Sequence, residues 1–298
     1  MPDGGDRRHG LERTTLAAFV LLIVVAGGNA VAIRESSCEA CELDPYWAAS
    51  GRFLLASVAF AVIASTRRVG VPRGRALSGA VLYGALQFGL GFGLLYWGLA
   101  RAPAGLAQVL LACVPLLTFG LALVLGQERF RWEGLSGAVL AVAGIAAIFN
   151  TGIDADVPVS SMGAILVAAV CWAGALVVVK GFPPVHPAAM NAVAMGVGAA
   201  MLLASSVIAD ESRAIPNERS TWIALTYLVL AGSIGVFWLY VVVLREWSAS
   251  AASYQLVLIP IITVALSAWF QDEEITWAFG VGSVLVLAGV YFGVLRRP

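Results

Sequence analysis

Five hydrogen-bonding side chains lie deep inside long apolar stretches of this chain: Asn29, Gln87, Gln108, Tyr254 and Gln255. Amides and a phenol can grip a polar solute, but at neutral pH none of them is a nucleophile or a general base. A buried amide costs several kcal/mol unless it is satisfied, so each must face another helix or water. Interhelical bonding and solute binding are both open for every one of the five. Trp172, near the middle of its stretch, is the best aromatic wall for such a cavity, and Trp238 is a second candidate. Arg52 sits seven residues into an apolar stretch. It can snorkel outward, meet a structural partner, or act as a gate that takes an anionic group.

The absences narrow the chemistry further. No Asp or Glu lies deep in an apolar run, and Glu133 stands at the very start of one. Buried carboxylates are the common proton-relay and cation-coupling groups, so a carboxylate relay, an intramembrane aspartyl protease and a cation channel are disfavoured. The two histidines, His9 and His186, fall outside the apolar runs and no His-Glu-x-x-His occurs. A metalloprotease is equally disfavoured, and neither a metal nor a cofactor is expected. A lipid-modifying enzyme would need a clustered nucleophile, base or metal set, and none is visible. Net charge is zero with no basic face, which argues against nucleic acid. What remains is a polar-aromatic cavity for an uncharged or zwitterionic small molecule.

The elements that must position these groups are membrane helices. Sixty per cent of the 298 residues are apolar, 12% are charged and the mean hydropathy is +0.89. An ordinary soluble domain carries about twice that charge. A hydrocarbon core of about 30 Å takes about 20 apolar residues per helix. That rule predicts an all-α integral membrane protein with ten spans, near 14–33, 46–66, 76–100, 103–126, 132–150, 161–180, 187–209, 221–244, 249–271 and 277–295. Continuous apolar runs without period-two alternation point to helices, not a barrel.

Residues 115–149 fall on 260–294 when moved along by 145 positions, with 10 identities in 35. Pro115/Pro260, Thr118/Thr263, Glu128/Glu273, Trp132/Trp277, Gly137/Gly282 and Gly144/Gly289 are among the matches. Apolar composition does not readily generate paired Pro, Glu, Trp and Gly. The chain is thus expected to hold two five-helix repeats, 1–155 and 156–298, as secondary transporters commonly do. The first span, preceded by Arg7, Arg8 and Arg13, has the look of a secretory signal. Yet Gly28–Arg34 lines up with Gly174–Lys180, and losing it would halve a repeat.

Alternating loops from a cytoplasmic N-terminus puts thirteen Lys and Arg inside and four outside. Both termini are then cytoplasmic, in an inner (plasma) membrane. Five helices per repeat is odd, so the second repeat is expected to be inverted. Glu128 would face the cytoplasm and Glu273 the outside, as end-of-helix contacts or gating groups. Pro115 and Pro260 should each bend a helix near mid-membrane and are the hinge candidates.

Several of these segments resemble the drug/metabolite transporter superfamily, in particular its EamA-like ten-helix members. Ala104–Thr118 with its Pro-Leu-Leu-Thr, Leu125–Arg129 reading Leu-Gly-Gln-Glu-Arg, and Gly137 with Gly144 carry the resemblance in the first half. Ser250–Ser253, Pro260, Asp272, Glu273, Gly282 and Gly289 carry it in the second. Gly27-Gly28-Asn29 and Cys171-Trp172-Ala173 are similar to the family's opening helices. Gln271-Asp272 departs from the usual Leu-Gly before the second Glu. The resemblance implies a carrier of small organic solutes, often an exporter of amino acids or other metabolites. Its partners would be a small-molecule substrate and the lipid bilayer, with a homo-oligomer left open. The competing reading is a non-transporting receptor or assembly subunit. For Cys38 and Cys41, among acidic residues of the first external loop, a small disulfide is favoured over metal binding or free thiols, and all three stay open.

Overall fold

A computed structural model describes residues 4–36, 43–99, 101–102, 104–148, 157–271 and 277–295. Among the described residues there are ten helical segments and no strands. In chain order they are α1 (Gly4–Ser36), α2 (Pro45–Thr66), α3 (Arg75–Leu99), and α4 in two pieces, Ala104–Leu111 and Val114–Val124. Then come α5 (Trp132–Ile148), α6 (Val159–Gly181), α7 (Pro187–Ile208) and α8 (Arg219–Glu246). The pieces Ala249–Ser253 and Gln255–Gln271 form α9, and residues 277–295 form α10. Seven segments are long and apolar enough to cross a membrane; Arg13–Asn29, Trp132–Ile148 and Trp277–Gly293 are shorter apolar helices. The observed limits stay close to the spans expected from hydropathy.

Local signals account for the ends. Pro45 and Pro187 occupy first-turn positions, where a missing N–H costs nothing. His186 caps α7 by accepting the Ala188 N–H at Nδ1, and the Ser248 hydroxyl caps α9 by accepting the Ala251 N–H. Gly126, at φ 67°, turns the chain away after α4.

The helices pack through small residues, since lipid supplies no hydrophobic drive between them. A Cβ on Gly137 would stand 2.6 Å from the Gly289 carbonyl oxygen, and one on Gly144 would stand 2.6 Å from that of Gly282. The glycine pairs of the two similar segments therefore pack on each other, 137 on 289 and 144 on 282, and α5 and α10 run antiparallel there. Gly27 leaves room for Ile262 of α9, and Gly28 for the Tyr227 hydroxyl of α8. Thr263 then donates to the Gly27 carbonyl at 3.1 Å and Tyr227 to that of Val25 at 2.9 Å.

Four helices are interrupted, α3, α4 and α8 near their middles and α9 shortly after its start. A π-helical turn interrupts α3 at Ala85–Gly91 and α8 at Leu230–Gly235. The repeat offset carries residue 85 onto residue 230, so the two turns start at matching places. In α4 the break falls at 112–113, beside Pro115, where the Cys113 N–H bonds the Leu110 carbonyl. In α9 it falls at Tyr254, whose N–H bonds the Ala251 carbonyl, and the helix then runs through Pro260. The interruption in α4 thus lies beside Pro115, whereas the one in α9 lies six residues before Pro260. Pro260 removes one hydrogen bond but leaves the helical run Gln255–Gln271 continuous. Tightening to a three-residue step at Tyr254 breaks the ladder more.

Candidate functional site

An aromatic cluster fills the middle of the bundle. Phe88 meets Phe53, Tyr83 and Phe237 at centroid distances of 4.9, 5.8 and 4.7 Å, and Phe92 meets Trp172 at 5.3 Å. Trp172 of α6 donates its indole N–H to the Gln87 carbonyl at 3.0 Å. That carbonyl lies within the π turn of α3, where the widened ladder frees a backbone oxygen for an outside donor. The Gln87 side chain is buried and its Oε1 has no partner. Gly91 allows the close approach of the indole, because any Cβ there would strike it.

A second contact mirrors the first. The Asn29 side chain donates to the Gly232 carbonyl at 3.4 Å, inside the π turn of α8. Gly232 is the residue that the repeat offset places opposite Gln87. In each half, the opening helix of one repeat thus holds the freed carbonyl in the third helix of the other.

The remaining candidates are spread along the bundle. Tyr254 is buried at the α9 break, with its hydroxyl donating to the Gly134 carbonyl at 3.4 Å and its ring against Gly293. Gln255, also buried, lies beside the Tyr240 hydroxyl. Gln108 is half-buried in the first piece of α4. Trp238 stands apart from these groups. It stacks on Phe60 at 6.2 Å, with His186 at 5.8 Å and the Arg67 guanidinium at 5.7 Å.

Arg52 is 6% exposed, so it does not snorkel to water. Its guanidinium lies 4.5 Å from the Phe53 centroid and 5.7 Å from that of Phe92, placing it at the edge of the aromatic cluster. A cavity of about 340 Å³ opens on its other side, between α2, α8 and residues 214–216.

One end of the bundle is tied across its two halves. The Glu128 carboxylate, after α4, accepts the Ser250 N–H at 3.1 Å and the Ser250 hydroxyl at 2.5 Å at the start of α9. The Gln127 amide donates to the Val177 carbonyl of α6 at 3.0 Å. His186 lies at the same end, and its imidazole pKa is lowered by burial and then by Arg245 and Arg67. Glu273, Asp272, Cys38 and Cys41 lie outside the described residues. Cys113 and Cys171 are free thiols. Among the described residues no group of three metal-ligating side chains occurs.

Asn191 was not anticipated. It is fully buried near the start of α7 and donates to the Phe237 carbonyl at 3.0 Å, leaving its Oδ1 unpaired. An amide inside an apolar span was the available signal, the same one that marked Gln87.

Comparison with known proteins places this geometry. Residues 13–150 and 159–295 each match the EamA-like transporter family. A probable terminal-alkyne amino-acid exporter of Streptantibioticus cattleyicolor is 31% identical over 281 residues, covering 92% of this chain and 91% of that protein. A probable amino-acid metabolite efflux pump of Escherichia coli K12 is 26% identical over 286 residues, covering 92% and 93%. One crystal structure superposes with a TM-score of 0.81 at 18% identity, over 95% of this chain and 99% of the other, and supports the fold alone. With both halves matched, the chain belongs to the EamA-like transporter family, within the drug/metabolite transporter superfamily.

Proposed function

We propose that the protein exports small organic metabolites, amino acids among them, by alternating access around a cavity between its two halves. The observation that carries this reading is the pairing of Gly137 with Gly289 and Gly144 with Gly282 on antiparallel α5 and α10. Contacts exchanged in this way are what two inverted repeats, 1–155 and 156–298, would make about an axis in the membrane plane. Such halves can swap conformations and open one cavity to either side in turn. The named relatives supply the amino-acid class and the outward direction.

In this reading the chain crosses an inner (plasma) membrane ten times, with both termini in the cytoplasm. Glu128 and Ser250 then form a latch on the cytoplasmic side, and its release opens the path inward. Glu273 is its counterpart outside. The π turns of α3 and α8 and the breaks in α4 and α9 supply the bending points, with Pro115 beside the α4 break and Pro260 six residues beyond that of α9. Gln87, Trp172, Asn29, Gln108, Tyr254 and Gln255 border the path. Lacking a buried carboxylate, the carrier moves its solute without a carboxylate proton relay.

The test is efflux from proteoliposomes of the purified full chain, preloaded with labelled amino acids and small metabolites. Saturable efflux of one chemical class, indifferent to an imposed pH gradient, is the expected result. Folded protein that moves nothing would overturn the reading.

A further inference from the structure

Arg52 brings a positive charge into the membrane, where no described carboxylate pairs with it and the Tyr96 phenol is a nearby polar group. Its Nε is enclosed without an acceptor, and no hydrogen bond or ion pair to the guanidinium occurs among the described residues. Phe53 and Phe92 approach it as ring contacts, which leave the five in-plane N–H donors unspent. An enclosed cation without hydrogen bonds is costly, and the cost is recovered when an anion arrives. A guanidinium fork matches one anion geometry best, the two parallel oxygens of a carboxylate.

The cavity beside it says what that carboxylate is attached to. Its walls include Leu55, Ile215, Trp222, Leu225 and Val229, all apolar, and its volume of about 340 Å³ falls in the usual range for small-ligand pockets of roughly 300–1,000 Å³. The cavity is a partly open groove, with Ile215, Leu55 and Trp222 each at least half exposed; at its rim the Trp47 indole donates to the Ala214 carbonyl and the Trp222 indole to that of Pro216, each at 3.0 Å. These two bonds fix residues 214–216 along one side of the cavity.

We propose that Arg52 and this cavity bind the carboxylate of an organic acid or amino acid with an apolar side chain. As the outer subsite of the export path, it rests on the transport reading; as a binding site it does not. A lipid headgroup is the poorer fit, because Arg52 lies seven residues, roughly 10 Å, along the helix from Pro45 at its start. Headgroups belong at the interface.

The test is thermal unfolding of the detergent-purified full chain with leucine, 4-methylpentanoate or 4-methylpentanamide. The two carboxylates should raise the melting temperature saturably and the amide should not. Arg52→Met should weaken the carboxylate response at least tenfold in concentration, and Arg52→Lys should fall between, keeping the charge without the fork. Arg52→Met leaves no hydrogen-bond partner stranded. Should it nevertheless fail to fold, Gly51→Phe, at a position with open space beside it, should fill the cavity and abolish the response with Arg52 in place. Equal shifts from acid and amide, or an undiminished response in Arg52→Met, would overturn the site. So would stabilisation by phosphatidylglycerol that depends on Arg52 and that carboxylates fail to compete. Arg52-dependent binding without efflux would leave the site standing and remove the transport reading. Efflux indifferent to Arg52 would keep the transport reading and remove the site's role as an export subsite.

Discussion

Replacing Gly144 by Ala puts a methyl group where the Gly282 carbonyl oxygen stands 2.6 Å away and the Val286 amide nitrogen 2.7 Å away. Ordinary contact begins near 3.4 Å, so the shortfall is 3.4 − 2.6 = 0.8 Å. Both obstacles are backbone, and backbone cannot rotate aside. Either α5 and α10 must separate or the methyl must stay compressed. Overpacking of this kind costs about 1–3 kcal/mol. Ala also gains about 1 kcal/mol over Gly inside any helix, which would mask part of the loss. Gly120→Ala is the matched control, because a Cβ there meets nothing within 4 Å. The difference between the two variants cancels the propensity gain and should be about 1–3 kcal/mol against Gly144→Ala. Unfolding by SDS in mixed micelles, followed by tryptophan fluorescence, reads that difference. The double variant Gly144→Ala with Gly282→Ala adds a sharper condition. Both methyls press on one gap, so opening it once serves both and the double should cost less than the sum. Equal stability of Gly144→Ala and Gly120→Ala, or strict additivity in the double, would refute the packing argument.

Other outcomes follow from the same geometry. Trp172→Phe keeps a ring beside Phe92 but removes the donor to Gln87; stability should fall by about 1–3 kcal/mol in the same titration, as for other stranded buried carbonyls. Glu128→Gln trades a charge-assisted pair for neutral ones, so cysteines placed behind the Ser250 contact should become several-fold more reactive towards a cytoplasmic-side label. The His186 pKa is lowered on folding, so its neutral cap contributes fully above the unfolded value of about 6.5 and is lost as pH falls through the folded value. His186→Asn, a cap that does not titrate, should flatten that acid-side loss in a series of melts across pH. Cysteine labelling in intact cells should find Arg73→Cys protected inside and Glu218→Cys reactive outside; the opposite pattern would reverse the topology.

Much of the architecture was legible because membrane helices announce themselves one at a time. Hydrocarbon forces each span to satisfy its own backbone, so length and hydropathy alone marked segments such as Val159–Gly181. The duplication was equally visible, since Gly137, Gly144 and their partners at 282 and 289 recur at a fixed offset. That these glycines pack on one another, 137 on 289 and 144 on 282, needed the structure. Sequence similarity identifies equivalent positions, not touching ones.

The polar groups divide along the same line. Residue type and depth singled out Gln87, Trp172, Asn29 and Arg52, because an amide, an indole or a guanidinium in an apolar run must be answered somewhere. Which group answers it depends on how each helix is rotated, and where nearly every face is apolar, hydropathy does not encode rotation. Only the tertiary structure brought the Trp172 indole to the Gln87 carbonyl and the Asn29 amide to that of Gly232. Only it placed the α9 break at Tyr254 instead of Pro260 and put Trp238 with Phe60 and His186. The chain by itself determined which segments enter the membrane and that they come in two copies, since both are local properties of composition and repetition. Partnerships between helices were decided by packing, where one backbone's freed carbonyl meets a side chain from more than eighty residues away.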